Sequence, residues 1–391
     1  MNIVILGAGV GGVCAAITLK QKGHQVSIFE RTALPSNIGA GIVIWPNASF
    51  ILDELDVLTE IENVSGCPSE MQRICNTGEG LGSLDIHSLN DKMGYGSYSI
   101  LRSDLQQILL TKLTSLGVEV QYKQQAALIE ERQDGCSRVL FKNGHECTAD
   151  LIIGADGRMQ SVARNYVNGD NKPQYQGFIN WVGTLESETS IVEDIIIQDF
   201  WGVGERFGVV PVSTKKIYWA GGVAQPEVSQ ETRSNFRSEL RAIFEHWPDP
   251  IPRILGEVAE HRINKIFVHD HDPIHCWHRD NVVLLGDSAH APLPTSGQGA
   301  CQAMEDAWHL ANCLEEFNCT LENALQAYTS RRIDKTTSII HGGRHLAKSL
   351  FDCDESRCIQ RNEQSKAMDY SQMVHGMAQG WSLGLPLKSA A

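Results

Sequence analysis

Gly7, Gly9 and Gly12 follow an apolar run, Ile3 to Leu6, and open a stretch of helical spacing that reaches Lys20. Gly-x-Gly-x-x-Gly at a strand-to-helix junction is what a dinucleotide requires. The first glycine lets the chain turn, the second lets a pyrophosphate approach the backbone, and the third lets helix and strand pack closely, with the phosphate at the positive helix end. The next apolar run ends at Glu30, 18 residues beyond Gly12, where an acid can accept hydrogen bonds from a ribose diol. Gly11 and Arg31 belong to the same predicted cofactor loop. An acid at the ribose position disfavours a 2′-phosphate, so the bound nucleotide is FAD or NAD. The loop occurs once, which favours transient docking of any second nucleotide.

Two further clusters carry chemistry. Asp150 to Arg164 reads DLIIGADGRMQSVAR, a strand running into Asp156-Gly157, and Asn281 to Ala307 reads NVVLLGDSAHAPLPTSGQGACQAMEDA, a strand running into Gly286-Asp287 and then a Pro/Gly loop. His269, His271 and His275 with Asp270 and Asp272 look like a metal cluster, but an i, i+2 pair before a strand reads more simply as a polar connection, so no metal is expected. His290 is expected to hydrogen-bond the backbone of its own turn.

The elements that must position these residues follow from periodicity. Strand, helix and strand over the first thirty residues make a βαβ unit. Met71 to Tyr98 shows no helical period and reads as strands and loops, whereas Leu105, Ile108, Leu109, Leu113 and Leu116 resume a helix. From about Gln174 to His269, aromatic and β-branched segments separated by turns predict an antiparallel sheet. One helix interrupts it, with Phe236, Leu240, Ile243, Phe244 and Trp247 on one face. Ala303, Met304, Ala307, Leu310, Ala311 and Leu314 form the apolar face of another, and the tail beyond Leu321 is mostly helical in period.

Composition narrows the class. With 33 Lys+Arg against 47 Asp+Glu the net charge is −14, which opposes nucleic acid and anionic lipid surfaces as partners. Apolar residues at 42% and charged ones at 20% describe an ordinary folded chain of two-domain length. Eleven scattered cysteines with no Cys-x-x-Cys pair argue against disulfides and zinc and for a reducing cytoplasm. No apolar stretch is long enough to span a bilayer, and the N-terminal apolar run reads as the first strand, not a signal peptide.

Taken together and in this order, the three clusters resemble the class A flavoprotein aromatic hydroxylases, single-component FAD monooxygenases with a para-hydroxybenzoate-hydroxylase-like fold. The resemblance covers nearly the whole chain. It implies an α/β fold: a discontinuous Rossmann-like FAD-binding domain (1–72, 101–173, 273–320), an inserted, mainly antiparallel substrate-binding β-sheet domain (73–100, 174–272) and a C-terminal helical segment (321–391). It also implies that Gly7, Gly9, Gly12 and Glu30 hold the ADP half of FAD, with Arg102 contacting the cofactor from a helix start. Asp156 and Gly157 would serve FAD and the reduced nicotinamide, with Arg164 closing that motif. Asp287 would serve the ribityl or pyrophosphate region and Pro292 the flavin ring, while Gly297, Gln298, Gly299 and Ala300 would present backbone N–H groups. NADH or NADPH would reduce the flavin, and O2 would give a C4a-hydroperoxide that oxygenates a small anionic or phenolic (hetero)aromatic. A monomer or homodimer is expected.

Within the family, FINWVG, GERFGVVPVSTKKIYW and GWSLGLPL resemble segments of its FAD-dependent urate-hydroxylating members, making urate the leading substrate. By position, Arg206 would face the substrate anion and Tyr218 would orient it or help deprotonate it. Asn180, Trp181 and Thr295 would line the substrate cavity, Trp181 having a sheet-core role as its alternative. Thr295 stands where those members carry an acid, which keeps phenolic or quinolone substrates, hydroxylated or epoxidised, and an FAD-linked reductase without oxygen insertion as alternatives. Arg206 and Tyr218 lie 12 apart across a hairpin turn, so they share a face only if the loop is odd in length or the strand carries a bulge, for which Pro211 is the candidate.

Overall fold

The N-terminal apolar run forms the strand Asn2–Leu6, and the computed structural model, which describes residues 1–34, 40–131, 135–228, 235–318 and 320–388, sets it inside a six-stranded sheet. The order is His278–Arg279, Val282–Leu284, Leu151–Gly154, Asn2–Leu6, Gln25–Phe29, Val120–Gln121. All neighbours are parallel except the first pair. Ile3 to Leu6 and Leu151 to Ile153 are buried without alternation, as expected where helices cover both faces of a parallel sheet. The helix Val10–Gln21 lies between this sheet and the long helix Gly299–Glu316, whose six predicted apolar residues are all buried.

The second large sheet has seven strands, in the order Asn264–Asp270, Gln174–Glu186, Lys216–Ala224, Glu205–Ser213, Ile197–Trp201, Glu70–Cys75, Gly80–Asp85. It is antiparallel apart from one parallel pair, Ile197–Trp201 with Glu70–Cys75. One face packs Phe207, Trp219, Ile217 and Trp181 against the helices Phe236–Phe244 and Ile251–Glu257. On the other face Arg73 meets Tyr370 and Phe178 stacks on Phe351, so that face looks toward the C-terminal helices Leu321–Leu350, Glu355–Lys366 and Tyr370–Ser382.

Four elements differ from expectation. Residues 71–98 contain a helix, Ile86–Met93, capped by Asp85, which accepts from the Ser88 N–H; its buried Ile86, Leu89 and Met93 recur at i, i+3 and i+7, a period hidden among polar neighbours. A second helix, Ile251–Glu257, follows the expected one. The strand Glu70–Cys75 brings the sheet in three residues ahead of position 73, and Tyr98–Leu101 pairs with Gly41–Ile44 in a two-stranded ribbon of its own. Cys14, Cys75, Cys301, Cys313 and Cys358 are buried free thiols; Cys319 lies outside the described residues. Among the described residues no helix is long and apolar enough to cross a membrane.

Candidate functional site

A cavity of about 430 Å³ opens beyond the carboxyl ends of Asn2–Leu6, Gln25–Phe29 and Leu151–Gly154, and Gly7, Gly9, Glu30, Arg31, Arg102, Asp156 and Gly157 line it. This is where a parallel α/β sheet binds ligands. The glycines divide their work. A side chain at Gly7 (φ +103°) would stand 2.2 Å from the Ala155 carbonyl oxygen, and one at Gly12 would stand 2.0 Å from the Gly7 oxygen, so both hold strand and helix together. Gly9 meets nothing within 4 Å and leaves room at the helix start. Gly11 corrects an expectation: its Cβ direction meets Leu285 and Ala303 at 2.8 and 2.9 Å, so it seats helix on helix and does not line the cavity.

Glu30 Oε2 accepts from the Ala8 N–H at 3.0 Å and Oε1 from the Thr32 N–H at 2.9 Å, which fixes its carboxylate at the cavity wall. Arg102 begins the helix Arg102–Ser115 and makes no side-chain hydrogen bond among the described residues; burial, and then the neighbouring Arg158, depress its pKa, which Asp287 only partly restores. A guanidinium held half-buried without a hydrogen-bonded partner suits an anionic ligand. Gln106, one turn on, was not expected: it lines the cavity and donates to the Ala8 carbonyl at 2.8 Å. Its signal was the i, i+4 spacing from Arg102.

In the Asp-Gly cluster, Asp156 accepts from Ser161 Oγ (2.5 Å) and from the Val162 and Ala163 N–H groups (2.7 and 3.2 Å), so its carboxylate caps the helix Val162–Asn168 while burial pushes its pKa up. Gly157 takes φ +80° at the cavity wall. Arg164 is buried and donates to the Ser288 and Ala289 carbonyls, tying this cluster to the next. Asp287 pairs with Arg158 at 3.0 Å, a residue within the Asp-Gly cluster.

Further along, Pro292 is buried and its Cγ lies 3.6 Å from where a Gly299 side chain would start. Trp45 Nε1 donates to the Gly297 carbonyl at 3.0 Å, and Gly297 takes φ +63°. The Gln298 side chain turns inward, where its Oε1 accepts from Asn47 and Gln302 at 2.9 Å each while its buried Nε2 finds no partner among the described residues. Gln298, Gly299 and Ala300 therefore offer backbone at the start of Gly299–Glu316, whose N-terminus no side chain caps. His290 does not bond its own turn as expected: its Nε2 meets Asp306 at 2.5 Å inside a buried network with Arg332, Glu305 and Lys335. Burial pushes the Asp306 and Glu305 carboxyls up, but His290 and Arg332 outweigh this at Asp306, and Lys335 and Arg332 at Glu305, so both stay below the usual range. The histidine cluster is held as polar wiring: His269 Nδ1 meets the Phe267 carbonyl, His271 Nε2 the Arg158 carbonyl, and Arg344 binds Asp270 through two nitrogens.

On the seven-stranded sheet, Arg206 pairs with Gly222 and Tyr218 with Val210, and the register slips by one between Pro211 and Ser213. The bulge carries the slip, so Arg206 and Tyr218 share a face. It is held from behind: Ser99 Oγ donates to the Pro211 carbonyl, and Gly66 leaves room for the Pro211 and Val212 carbonyls. Tyr218 packs its ring into the space where Gly41 has no side chain, and its pKa is raised by burial and by Cys301 at the start of Gly299–Glu316. A phenol so shifted holds its proton more tightly, which suits it to donate a hydrogen bond. Arg206 folds back along its strand until Nη2 is 4.0 Å from a Cβ position at Gly208, covering part of the roughly 13 Å that four strand residues span.

Asn180 pairs with Gly222 on this face, its Oδ1 2.3 Å from the Cβ position there. Trp181 points to the opposite face, packed in the core with Lys265 Nζ 4.9 Å from its ring centroid, so the cavity-lining expectation fails for it. The reason is strand alternation: neighbours in sequence face opposite ways. Thr295 Oγ1 donates to the Gly343 carbonyl at 2.9 Å and holds its loop to the helix Leu321–Leu350.

Residues 1–341 match the model of a family described as the FAD binding domain. The chain belongs to this family. Family members similar to it include an FAD-dependent urate hydroxylase of Mycolicibacterium vanbaalenii, 31% identical over 87% of this chain and 86% of the relative. Another is the aurachin C monooxygenase/isomerase of Stigmatella aurantiaca, 30% identical over 89% of each. The fold is similar to the crystal structure of Klebsiella pneumoniae HpxO complexed with FAD and uric acid, with a TM-score of 0.90, 27% identity and coverage of 98% of this chain and 97% of that one. The chain is thus a flavin-dependent monooxygenase with a Rossmann-like FAD-binding unit, a largely antiparallel sheet and C-terminal helices. Its residues fit the cofactor on their own evidence: room at Gly9, an unmatched guanidinium at Arg102, a fixed acid at Glu30 and an orphaned amide at Gln298.

Proposed function

We propose that the chain is an FAD-dependent hydroxylase of a small anionic or phenolic (hetero)aromatic, with urate the first candidate, and that it uses NADH or NADPH and O2. The observation that carries this reading is the shared face of Arg206 and Tyr218, with Tyr218 against Gly41 and beside the start of Gly299–Glu316. Relatives named for urate hydroxylation support urate over other rings.

Gly7, Gly9, Gly12, Glu30, Arg31 and Arg102 would hold the ADP half of FAD. Gly157, Asp287, Pro292 and the backbone of Gly297 to Ala300 would serve the rest, Asp156 acting by capping the helix behind them. When bound, FAD supplies the redox chemistry that passes electrons from NAD(P)H to O2, so that one oxygen atom enters the substrate and the other leaves as water. Arg206 takes the negative charge of the substrate on its Nη edge, because a planar guanidinium matches a delocalised oxyanion. Tyr218 donates its phenolic proton to a substrate acceptor and sets the ring's angle. Asn180 and the Thr295 loop bound the space, and closed packing excludes water that would divert the oxidant. Buried free thiols support work in a reducing cytoplasm, as a monomer or homodimer.

The test is turnover. Purified protein should show a flavin spectrum, oxidise NADH or NADPH faster when urate is added, and give a product heavier by one oxygen atom. Substrate-stimulated turnover without O2 would instead mark a reductase. Stimulation by hydroxybenzoates or quinolones and not by urate would select the phenolic reading, which the neutral hydroxyl at Thr295 favours.

A further inference from the structure

Asp199 lies in the strand Ile197–Trp201 and pairs with Gly208, on the same sheet face as Arg206. It is 6% exposed, and Oδ1 receives Arg206 Nε at 2.6 Å while Oδ2 receives Trp201 Nε1 at 2.9 Å. Trp201 is itself clamped, with the guanidinium carbons of Arg73 and Arg361 lying 5.2 and 5.3 Å from its ring centroid. Neither Arg73 nor Arg361 hydrogen-bonds a carboxylate among the described residues: Arg73 reaches Met368, Met373 and Tyr370, and Arg361 reaches backbone carbonyls and Asn362. Arg206 has no hydrogen bond from Nη1 or Nη2 among the described residues, and bare Gly208 gives its guanidinium somewhere to lie.

We propose that Asp199 is the positioning residue for Arg206, gripping its Nε edge so that Nη1 and Nη2 form a fixed fork for a planar substrate with two neighbouring acceptors and one negative charge. The inference rests on Arg206 being the substrate contact proposed above. An arginine side chain has four flexible torsions, and ordering it only when the substrate arrives weakens binding. A buried carboxylate already locked by Trp201 takes that ordering into the fold. Its charge also meets that of Arg361, which Asp352 shares.

The test uses FAD-loaded Asp199→Asn, Asp199→Ala, Arg206→Gln and Asp199→Asn/Arg206→Gln proteins with uric acid as the probe. Asparagine has one acceptor oxygen for the two donors that Asp199 serves. In Asp199→Asn we expect the urate KM to rise at least tenfold and more NAD(P)H electrons to end in hydrogen peroxide, while FAD content and spectrum match the parent. In the Arg206→Gln background the same change should shift KM by less than twofold, because a residue that acts through Arg206 has nothing left to position. Equal KM shifts in both backgrounds, or none in either, would overturn the proposal. If the parent ignores urate, the substrate reading has failed and positioning is judged by the crystal structure of FAD-loaded Asp199→Ala. A guanidinium that leaves Gly208 supports the role, and one that stays in place refutes it.

Discussion

The ring of Tyr218 fills the space that a side chain at Gly41 would occupy: Cδ1 lies 1.9 Å and Cε1 2.2 Å from the Cβ position. A two-stranded ribbon and the hairpin of another sheet thus share one site, and a glycine decides where the phenol stands. Gly41→Ala should displace that ring and lower kcat/KM for the aromatic substrate at least tenfold while FAD content is kept, at an overpacking cost of about 1–3 kcal/mol. Steady-state kinetics beside the flavin spectrum check it; unchanged kinetics would mean the phenol has no part in turnover.

Gly9 and Gly12 should separate binding from folding. Gly9→Ala meets no protein atom and should fold with the parent's melting temperature, yet lose FAD because the methyl group occupies the space left for the pyrophosphate. Gly12→Ala drives a methyl group to 2.0 Å from the Gly7 oxygen and should lose thermal stability as well. Thermal melts of the FAD-free proteins, read beside flavin absorbance of the loaded ones, distinguish the two.

Lys335 joins the tail to the flavin side. Its Nζ sits 2.8 Å from Glu305 and donates to the Trp381 and Leu383 carbonyls, while Glu305 accepts from Asn47 at 2.7 Å and Asn47 reaches Gln298. Lys335→Met leaves Glu305 with one cation fewer and the tail carbonyls without their donor. Breaking a buried pair from one side costs about 3–5 kcal/mol. A lower melting temperature and earlier proteolytic cleavage beyond residue 380 are the expected readouts; unchanged melting would show that the network is slack.

His309 should make stability fall in mild acid. Burial and then Arg332 lower its pKa from 6.5 to about 3, and neither ring nitrogen has a hydrogen-bond partner among the described residues. The folded state disfavours the proton, so this contribution is complete above pH 6.5 and is lost as pH falls from 6.5 towards 3. Between pH 7 and pH 5 the parent should lose about 2 kcal/mol more than His309→Leu, at roughly 1.4 kcal/mol per pH unit. Denaturant melts at the two pH values measure it, and parallel losses in both proteins would refute it.

Much of the cofactor half was legible because it depends on local spacing. Gly7, Gly9, Gly12 and Glu30 are close in sequence, and a strand-turn-helix unit brings close residues together by its own geometry. Even there, the role of Gly11 was hidden, since its neighbour Ala303 is 292 residues away. The short helix Ile86–Met93 is faint in the sequence because three buried positions among polar ones make a weak signal.

On the substrate side, sequence parity alone required a bulge or an odd loop if Arg206 and Tyr218 were to share a face, and the register slip at Pro211 provides it. Tertiary structure decided the rest: Trp181 turns to the core, Asp199 grips Arg206, and Thr295 spends its hydroxyl on Gly343. These are contacts between strands and helices distant in sequence, and no local periodicity encodes them. The net charge of −14 belongs to the sequence as a whole. The gathering of Arg73, Arg206 and Arg361 around Asp199 and Trp201 exists only once strands and helices from three parts of the chain have packed, because an electrostatic field depends on where charges stand and not only on their sum.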